Sequence, residues 1–138
     1  MTFCYDDICE IKKADPAQRL VSGWAYISHD HEGLPLVDAD GDYVPTPDDL
    51  QKAAHKFMLE ARSADVYHDE VLVAKAVESV VFTPEITKAM GIPEGVLPQG
   101  AWWVTWKVLD DDTWARVEKG ELRSMSIGGR GRRTPVGV

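Results

Sequence analysis

Apolar residues between positions 46 and 61 recur with the spacing of an α-helix. They follow one another at i, i+3, i+4, i+7, i+8 and i+11, and are Leu50, Ala53, Ala54, Phe57, Met58 and Ala61. Thr46 is a suitable N-cap, and Pro47 suits the first helical position. The pattern predicts an amphipathic helix that packs its apolar face on a sheet or barrel.

Residues that favour β-strands cluster in five other segments. These are residues 3–12, 19–28, 66–82, 101–109 and 121–127. The turn sequence Ala-Asp-Pro-Ala separates the first two segments, which predicts a hairpin. The third segment is apolar on both faces, so we expect one long or two short strands that are buried on both sides.

Two shorter helices are predicted by their capping residues. Thr83 followed by proline predicts a helix that ends near Met90, and Asp110 predicts another that ends at Gly120. Five or six strands with three helices indicate an α+β fold, which we interpret as a partly closed antiparallel β-barrel with surrounding helices. We expect one domain over residues 1–129 and an arginine-rich, flexible C-terminal tail over residues 130–138.

Composition and charge narrow the classes of function. Of the 138 residues, 44% are hydrophobic and 28% charged, as in ordinary folded domains. Acidic residues outnumber basic ones by 23 to 15, and the net charge of −8 argues against broad binding to nucleic acid or to an anionic membrane. The sequence shows no membrane span or signal peptide, so we expect a cytoplasmic protein. Cys4 and Cys9 are interpreted as ordinary thiols.

Two short motifs resemble a calcium site and a zinc site, but each lacks a feature that the metal site requires, so we predict neither site. Asp38, Asp40 and Asp42 resemble the start of a calcium loop, but the sixth position, which requires glycine, is a tyrosine. We therefore predict a solvated turn. His29 and His31 lie at the start of a polar stretch that we expect to be a loop, and they offer two imidazoles without a third fixed ligand, which is weak evidence for zinc.

Two polar residues near the buried strand are candidates for catalysis. His68 lies where the strand begins, and can act as a general base if a partner supports it. Glu78 is a carboxylate within an apolar run, so we expect it to be buried and paired. A structural salt bridge with Lys107 or an arginine and the orientation of a histidine both remain open. His55 lies off the apolar stripe of its helix and is expected to be exposed.

Ser126 is a candidate nucleophile. It directly precedes Ile127, Gly128 and Gly129. Glycines after a strand serine let the backbone approach a substrate carbonyl and direct amide N–H groups at an oxyanion. Such a turn also ends many strands that have no catalytic role.

In their order and spacing, several of these segments together resemble one family, the XkdF-like phage serine proteases. The matching segments are residues 21–27, 38–45, His68, 77–85, 91–93, 102–104 and 124–129. These proteases are grouped with the prohead maturation proteases, which are similar in fold to herpesvirus assemblins. The resemblance covers roughly residues 19–130.

The resemblance implies a serine endopeptidase that trims scaffold protein, major capsid protein and itself inside the procapsid, in the cytoplasm of the bacterial host. It places the nucleophile at Ser126 and the base at His68. No His, Asp or Glu follows Ser126 in this sequence, so a third member lies upstream. We choose Glu78 over Asp69 or Glu70, because a buried acid holds an imidazole tautomer better than a flexible exposed one. A Ser–His dyad is the alternative.

The same resemblance implies an oxyanion hole formed by the amides of Ile127, Gly128 and Gly129. It implies no metal or other cofactor, no nucleic-acid or membrane partner, and is compatible with a homodimer. The alternative function is a non-catalytic capsid-assembly or scaffold-associated domain that retains the same fold.

Overall fold

The computed structural model describes residues 10–60, 63–65 and 72–123. In this part of the chain, five strands and three helices follow one another. Their bounds are β1 Ile11–Asp15, β2 Leu20–His29, α1 Pro47–Glu60, β3 Ser63–Asp65, β4 Leu72–Phe82, α2 Pro84–Ala89, β5 Gly100–Val108 and α3 Asp111–Glu118. The predicted α+β class is confirmed.

The five strands form one antiparallel sheet in the order β1-β2-β5-β4-β3. The predicted hairpin is confirmed, because β1 pairs with β2. In the described residues β1 and β3 are the two edges, so the sheet is open and the predicted closure into a barrel is not found there. The third predicted strand segment is occupied by β4 from Leu72 onward, and residues 66–71 lie outside the described chain.

One face of the sheet, called the first face below, packs on α1. Alternate residues of β5, the central strand, point to this face and are buried. They are Trp102, Val104, Trp106 and Val108. The Phe57 ring of α1 lies edge-on to two of them, with centroid distances of 5.6 Å to Trp102 and 5.7 Å to Trp106. The amphipathic helix predicted from sequence therefore covers the core as expected.

Local side-chain caps fix where the helices begin. Thr46 and Asp49 form a capping box, in which the Asp49 amide donates to the Thr46 hydroxyl at 3.2 Å and the Thr46 amide donates to the Asp49 carboxylate at 3.1 Å. Thr83 Oγ1 accepts from the Ile86 amide at 3.3 Å, and the Asp110 carboxylate caps α3 in the same way. All three predicted N-caps are confirmed.

The predicted strand at residues 121–127 is described only over 121–123, which are not in a strand. Arg123 nevertheless lies beside the sheet edge, because its carbonyl accepts a hydrogen bond from the Ile11 amide at 2.7 Å. The cysteines at 4 and 9 and the predicted tail at 130–138 lie outside the described residues, so the proposed domain organisation stays a prediction. No helix in the described ranges is long and apolar enough to cross a membrane.

Candidate active site

Glu78 is the one predicted catalytic residue that the structure describes. It lies in β4 just after a β-bulge, because Ala76 pairs with Trp106 whereas Glu78 pairs with Thr105, the next residue of β5. One extra residue, Val77, is therefore inserted on β4. Glu78 is exposed, so the prediction that it is buried is wrong.

The bulge is the physical reason for this error. Before it, Ala74 and Ala76 point to the first face and are buried. A regular strand would send residue 78 to the same face, but the extra residue reverses the alternation. After the bulge, Val81 is buried in the core and Glu78 points to the opposite face, called the second face below.

Glu78 belongs to a polar row that crosses four strands of the second face. Register pairs Lys13 with Ser22, Ser22 with Thr105, and Thr105 with Glu78. The two hydroxyls in the middle of the row are buried and hydrogen-bonded to each other at 2.8 Å. A shallow groove of about 430 Å³ runs over this row. Glu78 thus has open space beside it.

The salt bridge with Lys107 that we considered for Glu78 is not found in the described residues. Lys107 lies opposite Lys75 in register, and its ammonium group donates to the Gln18 carbonyl at 3.0 Å. The ion pairs that the described ranges contain join Lys12 to Glu10 and Arg19 to Asp111, each outside the polar row. Orientation of a histidine by Glu78 stays a prediction.

A serine and a histidine do form a hydrogen bond elsewhere, at the end of β2. Ser28 Oγ lies 2.8 Å from His29 Nδ1 and donates to the Gly100 carbonyl at 3.3 Å, while His29 Nε2 lies 3.3 Å from the Pro45 carbonyl oxygen. Ser28 is 0% exposed and His29 is 3% exposed. The pair is closed off from any substrate and holds the loop that precedes α1.

This arrangement corrects the sequence interpretation of His29. The residue ends a strand and is buried, whereas we expected it in a polar loop. Gly100 makes the burial feasible, since a Cβ at that position would collide with Ser28 Oγ. Both nitrogens of His29 already face polar atoms, so it is poorly placed to bind zinc together with the exposed His31. His55 is exposed as predicted.

The aspartates at 38, 40 and 42 form the predicted turn. The Asp38 carboxylate accepts the amides of Asp40 and Asp42 at 2.9 and 2.8 Å, and the Gly41 amide donates to the Asp38 carbonyl at 3.0 Å. Oxygens from the three carboxylates lie within 4.8 Å of one another. Burial, followed by the negative charges of Asp38 and Asp42, raises the pKa of the nearby Tyr26 phenol. Turn chemistry accounts for the cluster.

The other predicted site residues, His68, Ser126, Ile127, Gly128 and Gly129, lie outside the described residues, as do the alternatives Asp69 and Glu70. The structure does describe the residues that flank them. Asp65 of β3 pairs with Leu72 of β4, on either side of the segment that contains His68. Arg123, three positions before Ser126, lies beside β1 at the opposite edge of the sheet.

Comparison with known proteins supplies the family. The family described as "Putative phage serine protease XkdF" matches residues 7–135. The chain belongs to this XkdF family. The predicted resemblance is therefore confirmed, and the match includes His68, Glu78 and Ser126.

Two curated relatives come from Bacillus subtilis (strain 168). "Uncharacterized protein YqbD" is 34% identical over 119 residues, and "Phage-like element PBSX protein XkdF" is 29% identical over 119 residues. Each alignment covers 86% of this chain, but only 33% of YqbD and 39% of XkdF. The chain thus matches about a third of the length of YqbD and about two fifths of the length of XkdF. No solved structure matches it.

Proposed function

We propose that the chain is a serine endopeptidase that matures phage proheads by cleaving scaffold protein, major capsid protein and its own chain, inside the procapsid. The observation that carries this proposal is the match to a family described as a phage serine protease over residues 7–135, which contain every proposed catalytic residue. The net charge of −8 agrees with a protein substrate better than with a nucleic acid.

In the proposed reaction, Ser126 Oγ attacks the peptide carbonyl while His68 takes the hydroxyl proton. The amides of Ile127, Gly128 and Gly129 stabilise the oxyanion of the tetrahedral intermediate, a contribution of about 3–4 kcal/mol in sites of this kind. The C–N bond then breaks, and His68 gives its proton to the leaving amine. Water, deprotonated by His68, hydrolyses the acyl-enzyme and restores the serine.

Glu78 is proposed to hold the His68 imidazole and to stabilise its protonated form. One observation and one general property of bulges support the choice. The bulge before Glu78 directs the carboxylate out of the core and into the groove, and bulges frequently redirect side chains next to active sites. The Ser126–His68 dyad is the alternative that needs no acid.

The proposed site requires two segments that adjoin opposite edges of the sheet to come together. Arg123 lies beside β1, whereas the segment with His68 connects β3 to β4 at the other edge. Ser126 and His68 meet only if the sheet curls toward closure, as in the predicted barrel, or if the chain after Arg123 crosses one face. The first route brings the two edges together, and the second brings Ser126 over the strands that separate them.

The test is active-site labelling combined with intact mass. A fluorophosphonate probe is expected to label the protein and the Ser124→Ala variant, but not Ser126→Ala. In parallel, scaffold protein co-expressed with the chain is expected to be trimmed, and to keep its full mass with Ser126→Ala. Labelling that is lost in Ser124→Ala and kept in Ser126→Ala would show that Ser124, and not Ser126, is the nucleophile. Trimming that survives both substitutions would contradict serine catalysis by this segment.

The alternative is a capsid-assembly domain that keeps the fold without the chemistry. It predicts scaffold of full mass with every variant, together with co-purification of the chain and the scaffold. The two functions are therefore separated by the mass of the scaffold alone.

A further inference from the structure

The second face of the sheet carries an aromatic cluster made of Trp24, Phe82 and Trp103. The centroid of the Trp24 ring lies 5.0 Å from that of Trp103 and 5.9 Å from that of Phe82, and both ring pairs are edge-on. All three side chains are half-buried. Large aromatic side chains that remain partly exposed on a sheet favour contact with a partner.

No helix in the described part of the chain buries an apolar side chain on this cluster. The buried apolar residues of the helices are Leu50, Ala54, Phe57 and Trp114, and all belong to the core cluster that contains Trp102 and Trp106. The first face is covered by α1, whereas no helix in the described part of the chain covers the aromatic cluster on the second face.

Positive charge lies at the other end of the same face. Lys75 and Lys107 are directly opposite each other in the β4–β5 pair, and both are exposed. Like charges at opposed positions destabilise a sheet, and neither lysine takes part in an ion pair within the described ranges. Lys13 adds a third exposed ammonium group.

The acidic groups of this face whose side chains are described are Glu78 and Asp15. The Asp15 carboxylate is already used by the β1–β2 turn, where it accepts the amides of Ala17 and Gln18 at 3.0 and 3.3 Å. Among the side chains that the structure describes, this face therefore has three lysines against two carboxylates, in a chain whose net charge is −8. A positive face on an acidic protein is complementary to an acidic partner.

The spacing between the charge and the aromatic cluster is set by the strand. Trp103 and Lys107 lie on the same face of β5, four residues apart, a distance of about 13 Å at the rise of a strand. In an extended peptide, two side chains that are four residues apart also share a face and span the same distance.

We propose that the second face binds an extended acidic segment of the protein substrate, in which a carboxylate and an aromatic or aliphatic side chain stand four residues apart. The carboxylate pairs with Lys75 and Lys107, and the apolar side chain packs on Trp24 and Trp103. This proposal rests on the proposed function for the identity of its partner, and it deepens that function by naming the chemistry of the substrate.

The probe is a fluorescein-labelled heptapeptide with glutamate at position 2, phenylalanine at position 6 and threonine elsewhere, titrated with the 138-residue chain and followed by anisotropy. Replacing its glutamate by lysine, or its phenylalanine by alanine, is expected to weaken binding about threefold to tenfold. Moving the phenylalanine to position 5 places it on the other side of the peptide and is expected to weaken binding similarly.

The decisive variant is Lys75→Glu, and the matched control is Lys52→Glu on the exposed side of α1. Lys75→Glu is expected to abolish the preference for the glutamate peptide over the lysine peptide, because the new carboxylate pairs with Lys107 and leaves the site without net charge, and Lys52→Glu is expected to keep the original order. Thermal unfolding of both variants checks that they fold.

Three results would overturn the proposal: no binding at millimolar peptide, equal loss of affinity in Lys52→Glu, or the same affinity for all peptides. Sedimentation of the chain alone provides a further check. A dimer that dissociates in Lys75→Glu would show that a second copy occupies the face instead. The peptide experiment measures binding, whereas the Ser126 experiment measures labelling and cleavage. A negative result in either experiment therefore does not change the interpretation of the other.

Discussion

The two faces of the sheet are built from the same strands and have opposite roles. On the first face, α1 and Trp114 cover a continuous apolar core. On the second face, charged, hydroxyl and aromatic groups lie in rows, and the described helices bury no apolar side chain against it. The first face therefore buries the apolar core, whereas the aromatic side chains of the second face are only half-buried in the described part of the chain.

Neighbouring tryptophans make the difference concrete. Trp102 is 1% exposed, packs on Phe57, and its indole N–H donates to Ser79 Oγ at 2.8 Å. Trp103 follows it directly, points the opposite way and is half-buried beside Trp24. Because side chains alternate along a strand, Trp102 is buried in the core, whereas Trp103 lies on the second face.

The largest expected effect comes from Glu78→Gln on the second face. If Glu78 supports His68, the variant should cleave scaffold protein about 10²–10⁴ times more slowly. Its free energy of unfolding should change by less than about 0.5 kcal/mol, because the side chain is exposed. Cleavage rate and urea unfolding are measured on one sample, with Glu60→Gln as the control. An unchanged rate would leave the Ser126–His68 dyad.

Two single-residue deletions in β4 test whether the bulge consists of Val77 alone. Without Val77, Glu78 follows Ala76 directly, so a regular strand keeps Glu78 on the second face and Val81 in the core. This deletion should therefore change the free energy of unfolding by no more than about 1 kcal/mol, measured by urea unfolding. Deletion of Val80 should instead cost several kcal/mol, because it turns the buried Val81 outward. Equal losses in the two variants would contradict the assigned role of the bulge.

Two phenylalanines provide a matched comparison between the faces. Phe57→Ala removes a ring that is 8% exposed and contacts two tryptophans of the core, so we expect a loss of about 3–5 kcal/mol. Phe82→Ala removes a half-buried ring from the second face, and should cost about half as much. Urea unfolding measures both. A larger loss for Phe82→Ala would mean that another part of the protein covers the second face.

The features that sequence predicts well are those determined locally. Thr46, Thr83 and Asp110 were identified as N-caps because capping depends on residues three positions apart. The β1–β2 hairpin was likewise signalled by its turn residues. The bulge at Val77 could not be identified, because an apolar run has no periodicity that one extra residue would disturb.

The candidate site was less predictable because it depends on contacts that are distant in sequence. The burial of His29 depends on the missing side chain of Gly100, 71 positions later, and the exposure of Glu78 depends on pairing with β5. The polar row on the second face appears only when the register of four strands is known. Its sole sequence signal is the alternation of Ser22 and Thr105 with apolar neighbours.

The smallest expected effect is the alkaline behaviour of Tyr26, a buried residue of the core cluster. Burial, and then the charges of Asp38 and Asp42, raise the pKa of its phenol above the ordinary value of 10.0. The unfolded chain therefore releases this proton at lower pH than the folded one. The resulting stability is fully present below about pH 10 and is lost as the pH rises through the raised pKa.

Tyr26→Phe should consequently lose less stability between pH 8 and pH 11 than the parent protein, and Asp42→Asn, which removes one of the two charges, should fall between them. Urea unfolding at the two pH values measures the loss, and tyrosinate absorbance follows the titration. Because Glu78 is not among the groups that raise the pKa of Tyr26, Glu78→Gln should keep the alkaline loss of the parent. An alkaline loss in Tyr26→Phe equal to that of the parent would show that ionisation of other groups controls stability at high pH.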